Sequence, residues 1–215
     1  MPRVVDRRPG CGQNPLLVNW LPLIALGITA FAATNVDDSL LLLLLFGDRR
    51  FRARHVFAGQ AVGIGLLVLI SLLVALLALA VPGRWVGLLG LLPIVMGGRE
   101  VLARREGGQE EAIPSATAVT HATAGWRRAA SVAGLTLANG GDNIGVYAPL
   151  FAARPPAQTG LLLAVFAVML AGWLFGAFYL ARRSIFAGRI LTLSHQIFPY
   201  TLIGVGLFLL IESLI

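Results

Sequence analysis

The sequence predicts an all-α membrane protein whose six transmembrane helices form two inverted three-helix repeats. Hydrophobic residues make up 57% of the 215 residues and charged residues only 13%, whereas soluble domains carry about 25% charged residues. Six apolar segments are also long enough to cross a hydrocarbon layer of about 30 Å. A short motif that recurs half a chain later predicts the duplication.

The six apolar segments define the predicted elements. Continuous segments of this length favour helices, because the strands of a membrane barrel alternate in runs of about ten residues. The predicted spans are residues 20–46, 56–81, 85–103, 129–151, 159–181 and 190–214. They divide the chain into an N-terminal extension (1–19), a first repeat (20–104), a small polar loop (105–125) and a second repeat (126–215).

The arginines predict the orientation of these spans. Twelve of the seventeen arginines lie in or beside three connections, namely residues 47–55, the 105–125 loop and the segment between the fifth and sixth spans. Positive residues concentrate on the cytoplasmic side, so both termini are predicted to lie outside the cytoplasm. The net charge of +7 is thereby explained by topology, and no basic face laced with aromatics predicts a nucleic-acid partner.

A cleaved signal peptide is an alternative interpretation of the N-terminus. Arginines within residues 3–8 precede an apolar run that reaches Ala30-Phe31-Ala32, a sequence similar to a cleavage site. The apolar run resumes through Phe46, however, and cleavage would leave an acidic motif at a free end. A retained first span is therefore preferred.

That acidic motif, T-N-V-D-D-S, stands in the first span directly before six leucines. The fourth span contains a related motif, N-G-G-D-N. Aligned without gaps, the copies pair Asn35 with Asn139 and Asp38 with Asp142, at an offset of 104 residues. Because three helices precede the second copy, it enters the membrane from the opposite face. Many secondary transporters have this inverted-repeat architecture.

The acids are costly in a membrane helix, and the sequence offers them no cationic partner. Two carboxylates at a helix centre cost about 5–7 kcal/mol on the insertion scale, which the leucine run and its apolar neighbours offset. The chain has no lysine, and no arginine falls in the middle of a predicted span. The acids are expected to be protonated, hydrated or bound to an external cation, which predicts a transport site.

The two copies together predict an oxygen-lined site for a divalent cation near the membrane midplane. Residues three apart project from one side of a helix, so Asn35 accompanies Asp38 and Asn139 accompanies Asp142. Carboxylate and amide oxygens are the ligands of hard divalent ions. Asp37 has no counterpart in the second copy and is either a third ligand or a proton carrier. Since close carboxylates repel, one should hold a proton when the cation is absent, which predicts cation/proton exchange.

Other polar residues of the spans contribute less. Thr34, Gln60 and Thr136 are candidate pathway residues, with hydrogen-bonded helix packing as the alternative role of Gln60 and Thr136. The single cysteine, Cys11, excludes an intrachain disulfide and a CxxC metal site. No cofactor is expected beside the transported cation, and self-association stays open.

Four segments of the chain match a familiar pattern. They are T-N-V-D-D at 34–38, G-Q at 59–60, G-L-L-G-L-L-P-I at 87–94 and A-N-G-G-D-N-I-G-V-Y-A-P-L-F at 138–151. In them the chain resembles the cadmium resistance transporter family of bacteria, in the lysine exporter superfamily. The resemblance implies a non-enzymatic protein of the bacterial cytoplasmic membrane that exports Cd²⁺, and Zn²⁺ as a second substrate. Carried over by position, the metal-handling residues are Asn35, Asp37, Asp38, Asn139, Asp142 and Asn143.

Several other functions compete with this one. Manganese or basic amino-acid export is the alternative within the superfamily. An intramembrane aspartyl protease also needs two aspartates on neighbouring helices, but Asn139 stands where its Gly-x-Gly-Asp pattern requires glycine. A scaffold would tolerate alanine at all three aspartates. Cadmium is soft and favours thiolates, which no span provides. The residues by themselves therefore predict a divalent cation, and only the resemblance specifies cadmium.

Overall fold

The computed structural model of the chain describes residues 15–48, 51–78, 91–105, 125–182 and 200–211. Within these ranges every regular element is a helix, which confirms the predicted all-α class. The helices are α1 (Pro15–Thr34), α2 (Val36–Gly47), α3 (Ala53–Ala78), α4 (Leu91–Arg105), α5 (Gly125–Asn139), α6 (Gly141–Ala152), α7 (Pro156–Arg182) and α8 (Tyr200–Ile211). Most of the predicted extension (1–14) and of the predicted loop (106–124) lies outside the described residues.

The lengths of the apolar helices agree with a multi-pass membrane protein. Among the described residues, α3 and α7 are each long and apolar enough to cross a membrane, and α1 and α2 meet the same test as one bent pair. The apolar helix α8 is shorter. The predicted third span, 85–103, is described only from Leu91 onward, within α4. The predicted six-span arrangement thus extends beyond the described residues.

The first and fourth predicted spans are each divided into two helices at the repeated motif. Asn35 separates α1 from α2, with a bend of 62° between them, and Gly140 separates α5 from α6. The Asn35 side chain donates to the carbonyl of Phe31, 2.8 Å away, and so competes with the helical backbone. At Gly140 the side chain of Leu67 occupies the space of a Cβ. The predicted spans 20–46 and 129–151 therefore each contain a helix break.

Each divided pair packs on the long helix of the other half of the chain. α1 and α2 lie against α7, and α5 and α6 lie against α3. Gly59 and Gly63 allow the close contact of α3 with α5, since a Cβ at Gly63 would lie 2.7 Å from the Cβ of Thr136. This contact brings the polar residues of α3 and α5 together in an otherwise apolar interior.

A buried aromatic cluster joins α1, α6 and α7 next to the break at Asn35. The Phe166 ring lies 5.6 Å from the Phe31 ring and 4.5 Å from the Tyr147 ring, measured between centroids. Such pairs contribute about 0.5–1.5 kcal/mol each beyond the area that they bury. The cluster fixes the Tyr147 ring, whose hydroxyl reaches the α1–α2 break.

Candidate cation site

Asp38 is held by a hydrogen-bond chain that connects three helices. Its side chain, on α2, is only 2% exposed. The Gln60 Nε2 on α3 donates to the Asp38 Oδ2 at 2.7 Å, and the Gln60 Oε1 accepts from the Thr136 Oγ1 on α5 at 2.6 Å. Of the two predicted pathway residues, Gln60 therefore contacts the acid directly, and Thr136 is connected to it through Gln60. We call these three residues the Asp38 chain.

A second buried group joins the α1–α2 break to α6. The Tyr147 hydroxyl lies 2.7 Å from the Thr34 Oγ1 and 2.9 Å from the Asn35 Nδ2. The Asn35 Nδ2 also lies 3.4 Å from the Asn143 Oδ1. Thr34, Asn35, Asn143 and Tyr147 are all buried. We call these four residues the Tyr147 cluster.

A backbone carbonyl fixes the orientation of the Asn35 amide in the Tyr147 cluster. The Phe31 carbonyl can only accept, so the nitrogen of the Asn35 amide must face it. The same nitrogen donates to the Tyr147 hydroxyl. Between Thr34 and Tyr147 either hydroxyl can be the donor, and the Thr34 Oγ1 also lies 3.1 Å from the carbonyl of Ala30. The Asn35 Oδ1 is consequently turned away from the partners of the amide nitrogen.

The amide that meets Asn35 comes from Asn143 and not from the aligned Asn139. Asn139 is the last residue of α5 and is half-buried. Its side chain makes no hydrogen bond within the part of the chain that the structure describes. Asp37 is the second residue of α2, and its side chain lies outside the described atoms. The roles of Asn139 and Asp37 as metal-handling residues stay predictions.

Asp38 and Asp142 each stand in the first turn of a helix that begins at one of the two breaks. Asp38 is the third residue of α2 and Asp142 the second residue of α6. Neither helix start has a side-chain cap, so its free N–H groups and positive dipole end favour the nearby carboxylate. A carboxylate at a helix N-terminus gains about 0.3–1 kcal/mol, and up to about 2 kcal/mol where it is partly buried. The breaks therefore reduce the cost of burying these acids.

Each acid neighbours a residue of the Tyr147 cluster along its helix. Asp38 follows Asn35 by three residues, and Asp142 directly precedes Asn143. The two carboxylate oxygens of Asp142 are also shielded from solvent. Within the described ranges no three His, Cys, Asp or Glu residues come together as a metal cluster. A cation bound here would therefore combine carboxylates with amide, hydroxyl or backbone oxygens.

Sequence reasoning missed Tyr147 as a site residue. The signal was present, because Tyr147 lies within a predicted span, one helical turn after Asn143. A tyrosine buried in apolar surroundings needs a partner for its hydroxyl. The partners lie more than 100 residues earlier in the chain, and only the packing of α6 against α1 reveals them.

Comparison with known proteins assigns the chain to a family. The family model described as cadmium resistance transporter matches residues 31–214. This range contains all described polar residues of the Asp38 chain and the Tyr147 cluster. No curated protein and no solved structure matches the chain.

Proposed function

Because the chain belongs to the cadmium resistance transporter family, we propose that it exports Cd²⁺, and secondarily Zn²⁺, across the bacterial cytoplasmic membrane. The observation that carries this proposal is the burial of Asp38 and of the two carboxylate oxygens of Asp142 at two helix starts of an apolar helical protein. Ionisable residues within membrane-spanning segments mark substrate or ion pathways. Two carboxylates also balance the charge of one divalent cation.

In the proposed mechanism, carboxylate and amide oxygens replace the hydration shell of the cation. Asp38 and Asp142 are the principal ligands, and the Oδ1 of Asn35 is available because the Phe31 carbonyl holds the amide nitrogen on the other side. Gln60 holds the Asp38 carboxylate in one rotamer, which limits its rearrangement when the cation arrives. Few and neutral additional ligands keep the affinity low enough for the ion to leave.

The same charges provide a route to exchange for protons. When no cation is bound, two carboxylates in a low dielectric repel one another, and one proton relieves that repulsion. Cation release to one side would then be accompanied by proton uptake, and the reverse exchange would load the cation on the other side. This makes the protein a secondary transporter that uses the proton gradient.

The packing of the two halves supports the inverted repeat. If a twofold axis relates the halves, α1–α2 corresponds to α5–α6, and α3 corresponds to α7. The observed contacts obey this exchange, because α1–α2 packs on α7 and α5–α6 packs on α3. Broken helices at a repeat interface are the usual position of substrate sites in such transporters. Rocking of one half against the other would open this interface to alternate sides.

Growth of a cadmium-sensitive bacterial strain tests the proposal. We expect expression of the chain to raise the tolerated Cd²⁺ concentration, and Asp38→Asn or Asp142→Asn to abolish this gain at equal membrane abundance. Asp48→Asn, at the C-terminal end of α2 and outside the site, is the matched control and should protect fully. Full protection by both site variants would overturn the site. Protection against Mn²⁺ or a basic amino acid, but not Cd²⁺, would favour the superfamily alternatives.

A further inference from the structure

One methionine sulfur packs against α6, the helix that carries Asp142. Met96, on α4, is half-buried and packs against the main core cluster. Its Sδ fills the space beside Gly145 on α6, where a Cβ would lie only 2.7 Å from the sulfur. The absence of a side chain at Gly145 therefore lets the thioether approach the α6 backbone.

This approach is on the side of α6 that carries Asp142. Gly145 follows Asp142 by three residues, so the two positions share one face of the helix, about 4.5 Å apart along its axis. Asn143 and Tyr147 point to another face, toward the α1–α2 break. The Met96 sulfur thus contacts α6 at Gly145, one helical turn after the position of Asp142, whose carboxylate oxygens are shielded from solvent.

The thioether differs in chemistry from every other ligand candidate of the site. Carboxylate, amide and hydroxyl oxygens suit Mg²⁺, Ca²⁺ and Mn²⁺, whereas thioether sulfur is a soft donor. The oxygens alone therefore give no preference for a soft ion. Methionine is unbranched with three rotatable bonds, so a small change of rotamer moves its sulfur toward a neighbouring group.

We propose that the Met96 Sδ is a soft ligand of the transported cation beside Asp142, and that it gives the site its preference for Cd²⁺ over harder divalent ions such as Mn²⁺. The inference rests on the proposed function, because it deepens the chemistry of the same site. A thioether is a weaker ligand than a thiolate, which suits an ion that has to be released.

Binding of Cd²⁺ and of Mn²⁺ to the purified full-length protein tests this role. Met96→Leu keeps the apolar volume and removes the sulfur. We expect it to lower the ratio of Cd²⁺ to Mn²⁺ affinity by about tenfold, at the lower end of the effects of residues that support a metal site. Met169→Leu is the matched control, because Met169 is also half-buried and packs against the same core cluster. Its ratio should equal that of the wild type.

A second variant tests the position of the sulfur. Gly145→Ala leaves Met96 in the chain but places a methyl group where the thioether now approaches. We expect the ratio to fall in the same direction as in Met96→Leu. An unchanged ratio in both variants, or equal losses of Cd²⁺ and Mn²⁺ affinity in Met96→Leu, would overturn the proposal and leave Met96 as a packing residue.

Asp142→Asn separates this inference from the proposed function. If Asp142→Asn abolishes Cd²⁺ binding while Met96→Leu keeps the wild-type ratio, the oxygen site stands and only the sulfur ligand fails. If Asp142→Asn binds both ions as the wild type does, the proposed site itself fails.

Discussion

At the scale of single residues, the site depends on an amide whose orientation is fixed by a backbone carbonyl, which can only accept. The Phe31 carbonyl orients the Asn35 amide, and the same amide nitrogen donates to the Tyr147 hydroxyl. Such ordered groups lose little freedom when a cation binds, because their geometry is set before it arrives. In the proposed site this applies to the side-chain oxygen Oδ1 of Asn35.

Removal of the Tyr147 hydroxyl should weaken cation binding without unfolding the protein. In Tyr147→Phe the ring keeps its aromatic contacts, but Asn35 loses one of its acceptors and keeps the Phe31 carbonyl, so its amide is held less firmly. We expect a cost of about 1 kcal/mol, which corresponds to about a fivefold higher Kd for Cd²⁺. Isothermal titration of the purified protein measures it. Tyr200→Phe, at an exposed position, is the control, and an equal Kd in both variants would contradict the proposed orientation of Asn35.

The Asp38 chain predicts non-additive mutations. Gln60→Leu removes the donor to Asp38 and the acceptor of Thr136 together, whereas Thr136→Val affects Asp38 only through Gln60. We expect Gln60→Leu to reduce Cd²⁺ transport more than Thr136→Val does. The double variant should be no worse than Gln60→Leu, since residues in one network couple. Initial Cd²⁺ transport rates of the wild type, the two single variants and the double variant form a double-mutant cycle. Additive losses of rate would show that Gln60 and Thr136 act independently.

At the scale of elements, the central feature is the pair of helix breaks that place carboxylates at helix N-termini. The composition and the apolar segments predict the helical class and the position of the acids within membrane segments. They do not predict the breaks, because packing takes part in both: Gly140 contacts Leu67 of α3, and the Asn35 side chain bonds Tyr147 as well as the Phe31 carbonyl. For the same reason the aligned motif predicts an Asn35–Asn139 pairing, while packing brings Asn35 to Asn143.

The crossing of α3 with α5 can be tested with two glycines of the same helix. A side chain at Gly63 would collide with Thr136 and with the carbonyl of Ala133, whereas a Cβ at Gly65 would meet nothing within 4 Å. We expect Gly63→Val to destabilise the protein by about 1–3 kcal/mol and to separate Gln60 from Thr136. Gly65→Val should leave stability nearly unchanged. Thermal unfolding in detergent compares the two variants. Equal melting temperatures would contradict the close contact of α3 with α5 at Gly63.

At the scale of the whole molecule, two features predict one topology. Each divided helix pair packs on the long helix of the other half, and the arginines concentrate in three connections. The α2–α3 connection should face the cytoplasm and the α6–α7 connection the outside. Single cysteines at the exposed positions Gly47 and Ala153, in a Cys11→Ser background, report these two sides. In whole cells a membrane-impermeant maleimide should label Ala153→Cys, and should label Gly47→Cys only after permeabilisation. Labelling of both from one side would contradict the predicted inverted repeat.

The central claim is that two buried carboxylates at broken helices carry a divalent cation across the membrane. Cd²⁺ flux into proteoliposomes of the purified chain, driven by an imposed pH gradient, tests this claim most directly. We expect Cd²⁺ flux for the wild type and for Asp48→Asn. We expect none for Asp38→Asn or Asp142→Asn when the same amount of protein is reconstituted. Wild-type flux in both Asp38→Asn and Asp142→Asn would contradict it.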